Sequence, residues 1–174
     1  MAAVEVSSRV DVPDQALRSP TVAIAHDYLT QRGGAERVVL SLARAFPGAP
    51  IHTSMYEMAE TYPEFADLPI RTSALDYVGS LRRHHRMALP LLPRSFSRMG
   101  IGADVVFCSS SGWAHGVQTE GRKVVYCHNP ARWLYQQDGH EARSGRLASA
   151  GLAVLKGRLL RWDARAAATA GQSG

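Results

Sequence analysis

Three apolar runs of this sequence each end in residues that can bind or activate a ligand. After TVAIA (21–25) come His26, Asp27 and Tyr28 and then, past LTQR, the pair Gly33–Gly34. After DVVFC come Ser109, Ser110, Ser111, Gly112, Trp113 and His115; after KVVYC come His128, Asn129 and Pro130, followed by Arg132, Trp133 and Tyr135. Two glycines opening a helix let a phosphate or sugar approach the backbone, where free N–H groups and the helix dipole favour negative charge. The plainer use of such a pair is a turn. His128, where the chain leaves its run, can donate a hydrogen bond to a ligand carbonyl or hydroxyl, or serve as a satisfied structural histidine. Other chemistries lack their residues. The dinucleotide fingerprint G-x-G-x-x-G and the P-loop are absent. CSSSGWAHG lacks the glycine that a nucleophile elbow needs two positions before its serine. The seven histidines show no metal-ligand spacing with cysteines or carboxylates, so no zinc site is expected.

The elements that must position these residues follow from periodicity. TVAIA, short and rich in β-branched residues, fits a strand buried on both faces. Ala35, Val38, Val39, Leu42, Ala43 and Phe46 share one face of a helix; Glu36, Arg37, Ser41 and Arg44 fall on the other, and FPGAP stops it. IHTSMY (51–56) and PIRTSAL (69–75) are further strand candidates. Residues 77–99 read as helix, break, helix around Pro90 and Pro93. ADVVFCSS (103–110) and KVVYCHNP (123–130) read as strands, and a long helix is expected over 143–168, with Ala148, Leu152, Leu155, Leu159, Trp162 and Ala166 on one stripe. Strands alternating with helices imply an α/β fold, a parallel sheet with helices on both faces. In such a sheet ligands bind outside the carboxyl ends of the strands, which is where all three polar segments fall.

The chain has 174 residues and a formal net charge of +5, enough for one domain with a core. Residues 1–20 have no periodicity and read as a disordered tail without the apolar stretch of a signal peptide. No apolar run is long enough to span a bilayer. Cys108 and Cys127 sit in strand-like runs and are expected as buried free thiols in a reducing cytoplasm. The positive charge is nearly all arginine and is clustered. Arg82, Arg83, Arg86, Arg94 and Arg98 stand with His84 and His85 without an acid among them, and a second group follows from Arg143 to Arg165. Such faces suit phosphate or an anionic membrane surface, or are simply solvated.

HDYLTQRGGAERVV, SSSGWAHG and VVYCHNPARWLY, in this order and spacing, resemble the N-terminal half of the family 4 glycosyltransferases of the GT-B fold. Those are bacterial enzymes that move a sugar from a nucleotide sugar to a growing glycan. The likeness runs from about Thr21 to Ala167. It implies a Rossmann-like domain over 21–168, one half of a GT-B enzyme. It also implies donor-diphosphate contact at Gly33 and Gly34, and His128 as the catalytic residue near the reacting sugar. Asp27 and Tyr28, with Trp133 and Tyr135, would line the acceptor side, and Arg82, Arg83 and Arg86 would face a membrane carrying a lipid-linked acceptor.

The resemblance further implies transfer with retention, with mannose a candidate sugar, in cell-envelope polysaccharide synthesis at the cytoplasmic face of the membrane. No metal and no cofactor beyond the nucleotide-sugar substrate is expected. The family's second domain, which holds the nucleotide, has no counterpart here. ATAGQSG (168–174) departs from the family's continuation, so the expectation is a truncated reading frame, a disordered 169–174 end and negligible turnover by this chain alone. A second reading is a non-catalytic module that binds a glycan or a membrane. Nucleic-acid binding is not expected, since the arginine clusters lack interleaved aromatics or a recognisable module.

Overall fold

A computed structural model describes residues 18–79, 90–128 and 146–169, the last segment with side chains from 156 onward. The expected membrane-facing Arg82, Arg83 and Arg86, the acceptor-side Trp133 and Tyr135, most of the expected N-terminal tail and nearly all of the C-terminal end lie outside the described residues. Of the tail, Arg18 pairs with Asp104 at 3.0 Å, and the same carboxylate accepts from the Thr21 backbone N–H at 2.7 Å.

The domain is α/β and Rossmann-like. Its sheet has five strands, β1 (Val22–His26), β2 (Ile51–Thr53), β3 (Ile70–Thr72), β4 (Val105–Ser110) and β5 (Arg122–Cys127), all parallel in the order β3-β2-β1-β4-β5. The order reverses between β1 and β4, which places a crevice at their carboxyl ends. Helix α1 (Gly34–Ala45) covers one face, while the short α2 (Leu92–Ser97) and the long α3 (Arg146–Ala168) belong to the other.

The two cores show why β1 is apolar from Val22 to Ala25. Side chains alternate across a strand, so Ala23 and Ala25 join Met55, Phe96, Val106, Cys108, Trp113 and Leu159, whereas Ile24 joins Leu29, Val39, Leu40, Ile51 and Phe65 on the α1 side. Phe107 of β4 stacks on Phe46 beyond the end of α1, with ring centroids 5.0 Å apart. Among the described residues no helix is long and apolar enough to cross a membrane.

The structure corrects several boundaries and two placements. β2 and β3 are three residues each; beyond β2 the chain at Tyr56 makes only an isolated bridge to Leu29, and beyond β3 it turns into a 3-10 segment, Ala74–Tyr77. Between Pro90 and Met99 only a six-residue helix forms. Glu36, assigned by periodicity to the solvent side of α1, is 1% exposed, because the imidazole of His26 stands opposite it. Cys127, expected to be buried, is exposed, whereas Cys108 is buried; both are free thiols. The difference is position in the sheet: β4 is an inner strand and β5 is one of the two edge strands, with Val124 and Tyr126 also open.

α3 docks against the sheet's carboxyl side through the 3-10 turn Ala114–Gly116. Leu159 is buried there, Trp113 and Trp162 lie 5.7 Å apart, and the Trp162 indole N–H donates to Ser97 at 2.7 Å. A Cβ on Gly116 would run into the rigid Trp162 ring, whereas a Cβ on Gly34 would meet nothing within 4 Å. Gly116→Ala is therefore expected to destabilise the fold by about 1–3 kcal/mol, and Gly34→Ala to leave stability nearly unchanged. Urea midpoints check this; equal midpoints for Gly116→Ala and wild type would contradict the docking of α3.

Candidate functional site

β1 and β4 pair so that His26 stands beside Ser109, and β4 and β5 pair so that Ser109 stands beside Tyr126. One residue further, the His128 backbone N–H donates to the Ser110 carbonyl at 2.9 Å, continuing the ladder just past β5. The register thus gathers His26, Ser109 and His128 along one line at the crevice.

Their side chains form a connected polar row. The His26 Nδ1–H donates to the Ser109 carbonyl at 2.9 Å, since a carbonyl only accepts, and His26 Nε2 faces Glu36 Oε1 at 3.8 Å. The Ser109 hydroxyl meets His128 Nε2 at 2.7 Å. Tyr126 closes on the His128 ring edge to face, with centroids 4.8 Å apart. His26, Glu36 and Ser109 are buried, while His128 is partly exposed and forms the open end of the row. Burial lowers the His128 pKa, and the nearby His26 adds to this, so the ring favours its neutral form. Burial alone would raise the Glu36 carboxyl; the His26 ring, Glu36's own backbone N–H and the Gln31 amide outweigh it and hold the group below the usual carboxylate value. Glu36 Oε2 finds no hydrogen-bond partner of good geometry among the described residues.

The glycine pair divides. Gly33 caps α1 with extended backbone, and a Cβ there would lie 2.6 Å from Glu36 Oε2, so a side chain at 33 would push this carboxylate from its place beside His26. Gly34 is exposed, with open space where a side chain would begin. The helix start already carries negative charge from Glu36, turned towards His26.

Asp27 is buried, and its carboxylate is used inside the protein. Oδ2 accepts the Ser111 N–H at 2.6 Å, and Oδ1 accepts those of Trp113 and Ala114 at 3.1 and 2.6 Å. Its carbonyl accepts the Ser54 N–H at 3.2 Å and the Ser54 hydroxyl as well. Gly112, at the bend of the loop so gathered, has φ 153°, a backbone that side chains rarely adopt. Tyr28 is half-buried against the core on the α2 and α3 side.

A second polar cluster was not legible in the sequence as a unit. The Ser110 hydroxyl meets His115 Nδ1 at 3.0 Å, and His115 Nε2 lies 3.1 Å from Asp163 Oδ1, within ion-pair reach but off the line of a hydrogen bond. The composition is that of a hydrolytic triad, but the setting is not. Ser110 and His115 are buried and Ser110 Oγ accepts from the Gly112 N–H, so no substrate reaches the hydroxyl. The cluster fastens α3: Lys123, buried, donates to the His115 carbonyl at 3.0 Å and to the Thr169 hydroxyl at 2.9 Å. Burial pushes the Cys108 thiol up to about 12, which makes it unreactive.

Away from this row, a cavity of about 430 Å³ opens between the end of β3 and α2, lined by Ser73, Leu75, Leu91, Arg94, Arg98 and Met99 among others. Its basic residues belong to the first arginine cluster. Among the described residues no group of three or more His, Cys, Asp or Glu could hold a metal ion. No family model, no curated protein and no solved structure matches the chain.

Burial lowers the pKa of His52, His115 and His128 below the ordinary 6.5; Arg71 adds to this at His52, while Asp163 opposes it at His115. A depressed folded-state pKa gives stability that is complete above the unfolded-state value and is lost as pH falls through the folded one. Glu36 acts in the same sense at lower pH. The urea midpoint is therefore expected to fall steadily between about pH 7 and about pH 5. A midpoint that rises on acidification would contradict the neutral burial of these rings.

Proposed function

We propose that this domain is the acceptor-side half of a retaining glycosyltransferase that moves a sugar from a nucleotide sugar to a glycan or lipid-linked acceptor. The observation that carries the reading is the Ser109–His128 pair, 2.7 Å apart, at the carboxyl ends of neighbouring strands and open to the crevice beside the start of α1. Ligands of parallel α/β sheets collect at such reversals of strand order, and the motif resemblance assigns His128 to the sugar.

In this reading the His128 ring holds a hydroxyl or carbonyl of the donor sugar at the reacting centre. The diphosphate approaches the backbone around Gly34, the open member of the glycine pair, because Gly33 is taken up by Glu36. Catalysis consists of holding the acceptor hydroxyl against the anomeric carbon and stabilising the departing diphosphate, that is, positioning and electrostatics. Asp27 then acts by shaping the loop 111–114 rather than by touching the acceptor. Arg94 and Arg98, beside the apolar cavity wall, supply positive charge for an anionic membrane surface where a lipid-linked acceptor would lie.

The test is sugar transfer from UDP- and GDP-linked donors to a lipid extract by this domain joined to the donor-binding domain of a family 4 enzyme, since the domain alone is expected to turn over negligibly. His128→Ala is expected to lower kcat by about 100-fold, the size of one transition-state hydrogen bond lost, while changing donor affinity by less than about threefold. A joined enzyme that transfers no sugar, or a His128→Ala variant of it with undiminished turnover, would overturn the proposal.

A further inference from the structure

We infer that Ser109 is the positioning residue of His128, holding its ring as the neutral Nδ1–H tautomer so that the crevice is offered a fixed hydrogen-bond donor rather than a base. The assignment follows from counting donors and acceptors. Ser109 is fully buried, and its hydroxyl hydrogen needs an acceptor there, because an unpaired buried donor is costly. Among the described residues the one acceptor it reaches is His128 Nε2, at 2.7 Å. If Nε2 carried the ring hydrogen, two donors would face each other, or the hydroxyl would turn away to nothing. The hydroxyl therefore donates, Nε2 accepts, and the ring hydrogen sits on Nδ1.

Two further contacts fix the direction in which that hydrogen points, and Nδ1 is left open among the described residues. The His128 backbone N–H is tied to the Ser110 carbonyl, Tyr126 packs against the ring, and no described residue takes Nδ1. The Ser109 carbonyl is itself held by His26 Nδ1, so the serine that orients His128 is anchored at its backbone as well. Burial and the neighbouring His26 disfavour the imidazolium, which keeps the ring in a form with a single hydrogen to place. A fixed N–H recognises an oxygen that accepts, such as a sugar hydroxyl, a carbonyl or a phosphate oxygen.

The inference rests on the reading of His128 as a ligand contact, yet it can be tested without any activity. Nitrogen-15 NMR of the histidine rings in the ligand-free protein reads the tautomer directly. Wild-type His128 is expected to hold its hydrogen on Nδ1 by about ten to one, the ratio one buried hydrogen bond supplies. In Ser109→Ala the ring should revert to the Nε2–H form that free neutral histidine prefers, and Ser109→Thr, which keeps the hydroxyl, should restore Nδ1–H. A wild-type ring protonated on Nε2, or a tautomer ratio that Ser109→Ala leaves unchanged, overturns the inference. An Nδ1–H ring in a protein whose His128→Ala variant keeps full transfer would overturn the functional reading alone.

Discussion

The loop after β4 is held in place by one carboxylate. Asp27 accepts three backbone N–H groups from residues 111–114, while its carbonyl is taken by Ser54 beyond β2. A buried carboxylate is tolerated only when its lone pairs are filled, and hydrogen bonds to a charged group are worth about 1.5–3 kcal/mol each. Much depends on this node. It bends the chain at Gly112, sends Trp113 into the core against Trp162 and turns His115 towards Asp163. It also defines the rim of the crevice, because Ser109, two residues before this loop, is the one that carries His128.

Besides the Asp27 node, two separate polar rows run through this domain. On the α1 side Glu36, His26, Ser109 and His128 run from the helix start to the crevice, ending in a ring that is partly exposed. On the α3 side Ser110, His115, Asp163, Lys123 and Thr169 fasten a helix and reach no substrate. Neighbouring serines on one strand feed the two rows, since successive side chains point to opposite faces of a sheet. That alternation separates the row open to a ligand from the row that only supports it.

The sequence carried the sheet well and the polar contacts poorly. β1, β4 and β5 were legible because their apolar runs stop abruptly at His26, Ser109 and His128, which is where the strands end or nearly end. The burial of Glu36 was not legible, because apolar periodicity registers only apolar residues and the partner that brings Glu36 inside lies ten positions back. Asp27 stood out as a ligand candidate by its residue type. Its role as a backbone anchor depends on a loop more than eighty residues away, a distance no local pattern spans. Likewise Ser109 gains meaning only through the β4–β5 register that sets it beside Tyr126 and within reach of His128. Cys127 shared the strand pattern of Cys108, and nothing local distinguished an edge strand from a central one.

The claim on which this account turns is that the Asp27 carboxylate holds the loop 111–114. Amide hydrogen exchange under native conditions measures it residue by residue. The amides of Ser111, Trp113 and Ala114 are expected to exchange as slowly as those in the centres of β1 and β4, although they lie in a loop. Exchange of all three at the rate of an unprotected loop would contradict the account.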